Sequence, residues 1–121
     1  MRSVAILLYL AVAASAVPQP ASSPSELAGR VAGRPERCTL IEPGEALRVS
    51  DADRHLLLYG RGRTIWANRL APDCGLNFDD TLVTDPIGTQ YCRGDLVRSF
   101  DSASKIPGSA CRLSNFVPYT R

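Results

Sequence analysis

The chain has a single histidine, a single tryptophan and one methionine among its 121 residues, and aromatic residues make up only 7% of it. One histidine and four cysteines leave little material for a metal centre or for acid/base catalysis. The sequence also lacks the nucleophile-elbow, zinc-protease, phosphate-loop and dinucleotide-binding motifs. It therefore excludes the enzyme families that those motifs identify, and we predict no catalytic residue, no cofactor and no metal ligand.

An excess of charge of one sign is also missing. The 14 lysines and arginines are balanced by 12 aspartates and glutamates, which leaves a formal net charge of +2, and the acidic residues are interleaved with the basic ones. Nucleic-acid-binding proteins need a concentrated basic surface to neutralise phosphates. We therefore expect no nucleic-acid partner.

The longest apolar run, residues 4–13, is too short to span a membrane, which takes about 20 apolar residues. It follows Arg2 and precedes small residues at positions 14–16, a pattern typical of a signal peptide. We expect residues 1–16 to be a signal peptide that is cleaved after Ala16. The mature chain would then be exported, either to the periplasm or into the medium, and would keep no stable membrane anchor.

The rest of the chain divides by composition. Residues 17–36 are rich in proline, alanine, serine and glycine, which is typical of a linker. A capping-box pattern at residues 23–26 leaves room there for one short helix. Residues 37–121 should form the packed domain.

Turn-forming residues recur about every ten positions in residues 37–121, which favours strands over helices. The predicted strands are residues 37–41, 47–50, 56–59, 64–70, 81–84, 90–93, 96–100 and 110–117. The predicted strands at residues 56–59 and 64–70 should form a hairpin across Gly60 to Gly62. The predicted fold is all-β, a small antiparallel sandwich or partly open barrel.

An even number of cysteines in a small exported chain predicts a disulfide framework. The four cysteines allow three pairings. Cys38 and Cys111 share a Cys-x-Leu alternation, which favours joining these two across one core and leaves Cys74 to pair with Cys92. A zinc site is less favoured, because structural zinc ligands come in close pairs and these cysteines lie far apart.

Each of the four cysteines also lies in or beside a short segment that is similar to segments of other proteins. These are Arg37-Cys38, the segment from Trp66 to Leu70 before Cys74-Gly75-Leu76, Tyr91-Cys92-Arg93-Gly94-Asp95, and Cys111-Arg112-Leu113. Together they resemble a group of small exported four-cysteine proteobacterial proteins that are classified as a domain of unknown function. The resemblance covers residues 37–121 and implies an exported, disulfide-bonded domain, but no activity or ligand.

Three local motifs point to turns rather than to sites. The tripeptide at residues 93–95 matches an integrin-recognition sequence, but Gly94 between two predicted strands favours a turn in which Asp95 caps nearby amides. The calcium-loop pattern that begins at Asp51 fails at His55, which we interpret as a strand-entry residue. Turn-forming aspartates, rather than a calcium site, explain Asp79, Asp80 and Asp85.

Two hypotheses for the function follow. The first is a non-catalytic binding or structural module of the cell envelope, whose partner is an unidentified protein or envelope component. The second is a small enzyme or enzyme inhibitor with a site built from arginine and aspartate. A binding module should show an exposed apolar face or an unprotected strand edge. An enzyme should gather in one concave site some of Arg69, Arg93, His55, Asp79, Asp80 and Asp95.

Overall fold

The computed structural model describes residues 25–121, together with residue 5. The predicted signal peptide and its cleavage after Ala16 lie outside the described residues, apart from residue 5, and so does the first part of the predicted linker. Within the described part, no helix is long and apolar enough to cross a membrane.

The described chain is built almost entirely from β-strands, preceded by one turn of 3-10 helix at Ser25–Leu27. The strands are β1 (Val31–Ala32), β2 (Cys38–Leu40), β3 (Arg48–Val49), β4 (Leu56–Tyr59), β5 (Thr64–Arg69), β6 (Thr81–Thr84), β7 (Gln90–Cys92), β8 (Leu96–Phe100), β9 (Pro107–Arg112) and β10 (Phe116–Thr120). They form three antiparallel sheets with orders β1-β10-β5-β4-β3, β2-β7 and β6-β8-β9. The predicted small antiparallel all-β fold is confirmed, and its sheets do not close into a barrel.

The predicted hairpin of β4 and β5 is confirmed, and it lies within the five-stranded sheet, with β5 as the central strand. Its loop contains Gly60 and Gly62 at φ 89° and 81°, the left-handed region that glycine adopts without steric cost. Both faces of β4 are buried. Leu57 packs into one hydrophobic cluster and Leu56 into another, which explains why this strand is a continuous apolar run rather than an alternating one.

The inner face of the five-stranded sheet packs against the two smaller sheets in the larger cluster, which includes Leu57, Phe116, Tyr91, Val97 and Cys111. The outer face carries Leu58, Ile65 and Ala67, and Leu27 from the 3-10 turn packs on it. The single tryptophan and most other aromatics contribute to the core, but Phe78 is 66% exposed.

The two disulfides join Cys38 to Cys92 and Cys74 to Cys111. A two-disulfide framework is confirmed, but the predicted pairing of Cys38 with Cys111, and hence of Cys74 with Cys92, is wrong. The reason is the orientation of β2. Thr39 is buried there while Leu40 is 60% exposed, so the Cys-x-Leu face of β2 does not point into the core. β2 pairs with β7 instead, in a register that sets Cys38 directly opposite Cys92.

The predicted single strand over residues 110–117 is also wrong. β9 and β10 lie in different sheets, and the chain between them turns at residues 113–115. The side chain of Asn68, at 0% exposure on β5, holds this turn by hydrogen bonds to Ser114. An apolar pattern alone does not reveal such a break, because residues on both sides of it are buried.

Residues 25–36, which composition places in the linker, pack on the domain. Leu27 is buried, β1 pairs with the outer edge of β10, and an isolated bridge joins Glu36 to Phe116. The helical segment within this range is the single 3-10 turn, after which Gly29 adopts φ 73° and the chain becomes extended.

Candidate functional site

An open groove of about 740 Å³ lies on the outer face of the five-stranded sheet. Its floor is formed by Leu56, Ala67, Val117 and Tyr119 from three adjacent strands, and residues 27–30 form one wall. Alternate residues of β5 and β10 face this side of the sheet, and those that form the floor are apolar. Its size lies within the range of small-molecule sites.

Three arginines line this groove. Arg30 is held by its Nε, which donates to the carbonyl of Glu26 at 3.0 Å, and by its Nη1, which donates to the carbonyl of Arg63 at 2.9 Å. Arg69, at the end of β5, forms an ion pair with Asp53 at 2.9 Å between Nη1 and Oδ2. Arg93 follows β7, and its side chain forms no hydrogen bond or ion pair with another residue of the described range.

A second concavity of about 360 Å³ adjoins the groove and is lined by Arg37, Arg93, Gly94 and Asn115. It shares Arg93 and Asn115 with the larger groove. We call the two together the arginine groove. No aspartate or glutamate lines either part, although the chain as a whole is nearly balanced in charge.

The pKa of Arg30 is shifted by its local surroundings and not by the other arginines of the groove. Partial desolvation lowers the pKa of its guanidinium, repulsion from Arg121 lowers it further, and attraction to Glu26 opposes both. The guanidinium stays protonated, because arginine does not lose its proton in proteins.

A concavity of about 510 Å³ on the other face of the sheet contrasts with the arginine groove. It surrounds Trp66 with side chains of both charges: Glu36, Glu42, Glu45, Arg61 and Arg63. Arg61 and Glu45 lie within 3.7 Å of each other, so part of the charge is neutralised internally. The arginine groove is therefore the better candidate for binding a charged ligand.

Of the six residues that an enzyme site was expected to gather, the structure brings two, Arg69 and Arg93, to the same groove. Asp79, Asp80, Asp95 and His55 do not line it. Within residues 25–121, no three histidine, cysteine, aspartate or glutamate side chains form a group that would hold a metal ion.

The turn interpretations of residues 93–95 and of His55 are confirmed. Gly94 adopts φ 93°, and the Asp95 carboxylate accepts a hydrogen bond from the backbone N–H of Cys92 at 2.8 Å. His55 lies in the turn that enters β4, and its Nδ1 is 3.1 Å from the carbonyl oxygen of Cys74. Both side chains thus have structural roles in their loops.

Asp53 connects this turn to the groove. Its carboxylate accepts a hydrogen bond from the backbone N–H of His55 at 2.9 Å and contacts Arg69. The hydrogen bond from His55 lowers the pKa of Asp53, and the hydrogen bond and charge of Arg69 lower it further against an opposing desolvation. The Asp53 side chain therefore holds Arg69 at the rim of the groove as an ionised carboxylate.

The lowered pKa of Asp53 predicts a loss of stability in acid. A group whose pKa is depressed in the folded state stabilises the fold above its unfolded pKa of about 3.9, and this contribution is lost as the pH falls through the folded pKa. Urea unfolding between pH 7 and pH 2 should show that Asp53→Asn destabilises the protein at pH 7 and much less at pH 2. The exposed Asp51 supplies the control variant Asp51→Asn. An equal effect of Asp53→Asn at both pH values would contradict the prediction.

Sequence reasoning missed Arg30 and Arg37 as groove residues. Arg30 lies in a segment with linker composition. Arg37 precedes Cys38 while Arg93 follows Cys92, and in an antiparallel pair with these cysteines opposite each other the two arginines are neighbours. The backbone N–H of Arg93 donates to the carbonyl of Arg37 at 2.8 Å. The correct disulfide pairing would therefore have revealed this pair.

Comparison with known proteins gives no relatives: no protein-family model, no curated protein and no solved structure matches the chain. The function is therefore inferred from the residues of the arginine groove and from their surroundings. The two disulfides add one constraint on location, because such bonds are typical of oxidising compartments outside the cytosol.

Proposed function

We propose that the protein is an exported, non-catalytic binding module of the cell envelope, periplasmic or secreted, whose arginine groove binds an anionic ligand. The observation that carries this proposal is the segregation of charge. Arg30, Arg37, Arg69 and Arg93 line two adjoining concavities whose lining contains no carboxylate, and of these four arginines Arg69 alone forms an ion pair among the described residues, with Asp53 at the rim. The balanced composition of the whole chain makes this local excess of positive charge informative.

The chemistry of the groove favours an anionic group attached to a hydrocarbon part. A guanidinium binds carboxylate or phosphate through paired hydrogen bonds. The floor of Leu56, Ala67, Val117 and Tyr119 offers apolar surface beside these donors. Removing hydrocarbon from water contributes about 25 cal/mol per Å² of buried area, so a ligand with both parts gains from both surfaces. We therefore assign the groove to carboxylate- or phosphate-bearing amphiphiles.

The enzyme or inhibitor hypothesis has less support. Ser114 and Tyr119 are the hydroxyl residues that line the groove. The single hydroxyl proton of Ser114 is shared between two acceptors, Asn68 Oδ1 at 3.1 Å and the carbonyl oxygen of Arg69. Neither partner is a base that would activate the hydroxyl. No histidine or carboxylate lines the groove to take that role.

The test is a calorimetric titration with dodecyl phosphate and laurate below their micellar concentrations. We expect Arg93→Gln combined with Arg37→Gln to weaken the binding of dodecyl phosphate about tenfold or more, because two charge-assisted hydrogen-bond donors are removed. The fold should be unaffected, because neither the Arg37 nor the Arg93 side chain makes a hydrogen bond or ion pair with another of the described residues. Binding should also weaken as the salt concentration rises.

Arg98 is a matched control, since it is an exposed arginine on β8 that does not line the groove. Arg98→Gln should bind dodecyl phosphate like the unaltered protein. Inorganic phosphate alone separates recognition of the headgroup from recognition of the whole amphiphile. Equal binding of dodecyl maltoside, which has a neutral headgroup, or an equal loss in Arg98→Gln would overturn the proposal.

A further inference from the structure

Strand β6 is an outer strand of the three-stranded sheet and has an open edge. Within residues 25–121 it pairs with β8 alone. Alternate residues of an antiparallel outer strand direct their N–H and C=O groups away from the sheet, where another strand can pair with them. β6 thus presents unused backbone donors and acceptors over Thr81–Thr84.

The other outer strands of the described sheets are shorter or better protected. β2 and β7, the two strands of the smallest sheet, have three residues each. β9 begins with Pro107, which has no N–H, and its Cys111 is joined to the loop that contains Cys74. β1 and β3 are only two residues long, and Arg48 of β3 forms an ion pair with Glu26. β6 has four residues and contains no proline and no charged side chain.

The side chains of β6 alternate between the core and solvent. Leu82 packs against the main hydrophobic cluster, while Val83 on the opposite face is 41% exposed. Shortly after the strand, Ile87 is 92% exposed. The open edge is therefore accompanied by exposed apolar side chains, a combination that marks interaction surfaces.

Both ends of this strand are acidic. Asp79 and Asp80 precede it, and Asp85 follows it directly. Asp101 is next to Phe100, the residue opposite Thr81 on β8. Two cations are near, Lys105 at the tip of the β8–β9 hairpin and Arg98 opposite Val83 on β8, and they leave the surroundings of β6 with a net negative charge.

We propose that the β6 edge binds an extended segment of a partner protein by strand addition, and that this segment carries basic residues at both ends of an alternating apolar stretch. Charge complementarity identifies the occupant, because the acidic residues at each end of β6 would face the basic ends of the added strand. A second copy of this chain fits poorly. Paired β6 strands would bring aspartates against aspartates in either orientation, and like charges placed opposite each other destabilise strand pairs.

The probe is a synthetic hexapeptide of alternating threonine and valine with a lysine at each end and both termini blocked. Titrated into the isotope-labelled protein at low salt, it should shift the amide resonances of residues 81–84. A peptide with glutamate at both ends should bind about tenfold more weakly, because two weak attractions become repulsions. A lysine-ended peptide methylated on alternate backbone nitrogens should lose binding, since it lacks the N–H donors for the edge.

Two variants complete the test. Asp80→Asn combined with Asp85→Asn should weaken the lysine-ended peptide several-fold, and Val83→Lys, at an exposed position, should block the edge without unfolding the protein. The matched control is Asp73→Asn, an exposed aspartate outside the β6 segment. Absence of shifts at residues 81–84, equal affinity for the glutamate-ended peptide, or a dimer of the protein that Val83→Lys abolishes would each overturn the proposal. Groove variants such as Arg93→Gln should leave peptide binding unchanged, because residues 79–85 do not line the groove.

Discussion

Replacing both Cys74 and Cys111 with alanine is expected to lower the free energy of unfolding by about 4 kcal/mol. The two cysteines are 37 positions apart, and the entropy that a loop of this length loses on closure corresponds to about that value on the chain-entropy model. Cys111 is also buried in the main cluster at 2% exposure, so its replacement removes packing as well as the bond. A loss of this size is a large part of the total stability of a small domain.

The measurement is urea unfolding of the double-alanine variant beside the unaltered protein. Cys38→Ala with Cys92→Ala is the comparison. This bond spans 54 positions, so the same entropic contribution of about 4 kcal/mol is expected, but Cys38 and Cys92 are only half-buried and less packing is lost. Peptide mapping without reduction should recover Cys38 linked to Cys92 and Cys74 linked to Cys111. Peptides that join Cys38 to Cys111, or a loss below about 1 kcal/mol, would contradict the prediction.

The disulfides show how far local sequence reasoning extends in this fold. The number of bonds and the two strands that carry Cys38 and Cys92 follow from cysteine count, turn residues and apolar runs, which are local properties. The pairing depends on which strand lies beside β2, and a three-residue strand carries little information about its orientation. Thr39 faces inward and Leu40 outward, the reverse of what their hydrophobicity suggests.

The arginine groove could be predicted only in part from the sequence, because the pairing of short strands brings some of its residues together. Arg69 and Arg93 lie at or near the ends of the predicted strands 64–70 and 90–93, and both were candidates for a concave site. Arg30 comes from a segment whose composition is that of a linker, and it reaches the groove because β1 pairs with β10. Arg37 reaches it through the pairing of β2 with β7. Long-range pairing of very short strands decides both positions, and a hydrophobic pattern does not encode it.

Replacing Asn68 should change both the stability of the fold and the binding of ligand in the arginine groove. Asparagine is depleted in strands, yet Asn68 lies fully buried in β5 between Leu57 and Phe116 of the neighbouring strands. Its Nδ2 donates to the carbonyl of Ser114 at 2.8 Å, and its Oδ1 accepts from the backbone N–H of Ser114 at 2.8 Å. The side-chain amide of Asn68 thus provides hydrogen-bond partners for both the N–H and the C=O of Ser114, in the turn between β9 and β10.

We expect Asn68→Leu to lower the free energy of unfolding by about 2 to 5 kcal/mol, because it leaves two backbone groups of Ser114 without partners and each such group costs about 1 to 3 kcal/mol. Binding of dodecyl phosphate should fall as well, since Ser114 and Asn115 line the groove. Urea unfolding and the calorimetric titration measure the two effects on the same variant.

The variant Asn68→Asp separates the hydrogen bonds from the shape of the side chain. It retains the acceptor for the N–H of Ser114 but loses the Nδ2 donor, and a buried carboxylate would face the Ser114 carbonyl. Protonation restores a donor, so this variant should be less destabilised relative to the unaltered protein at pH 4 than at pH 7. Asn115→Ala, at an exposed neighbouring position, is the stability control and should change the free energy of unfolding by less than about 0.5 kcal/mol. If Asn68→Leu unfolds at the same urea concentration as the unaltered protein, the turn is held by other contacts and the link between Asn68 and the groove is wrong.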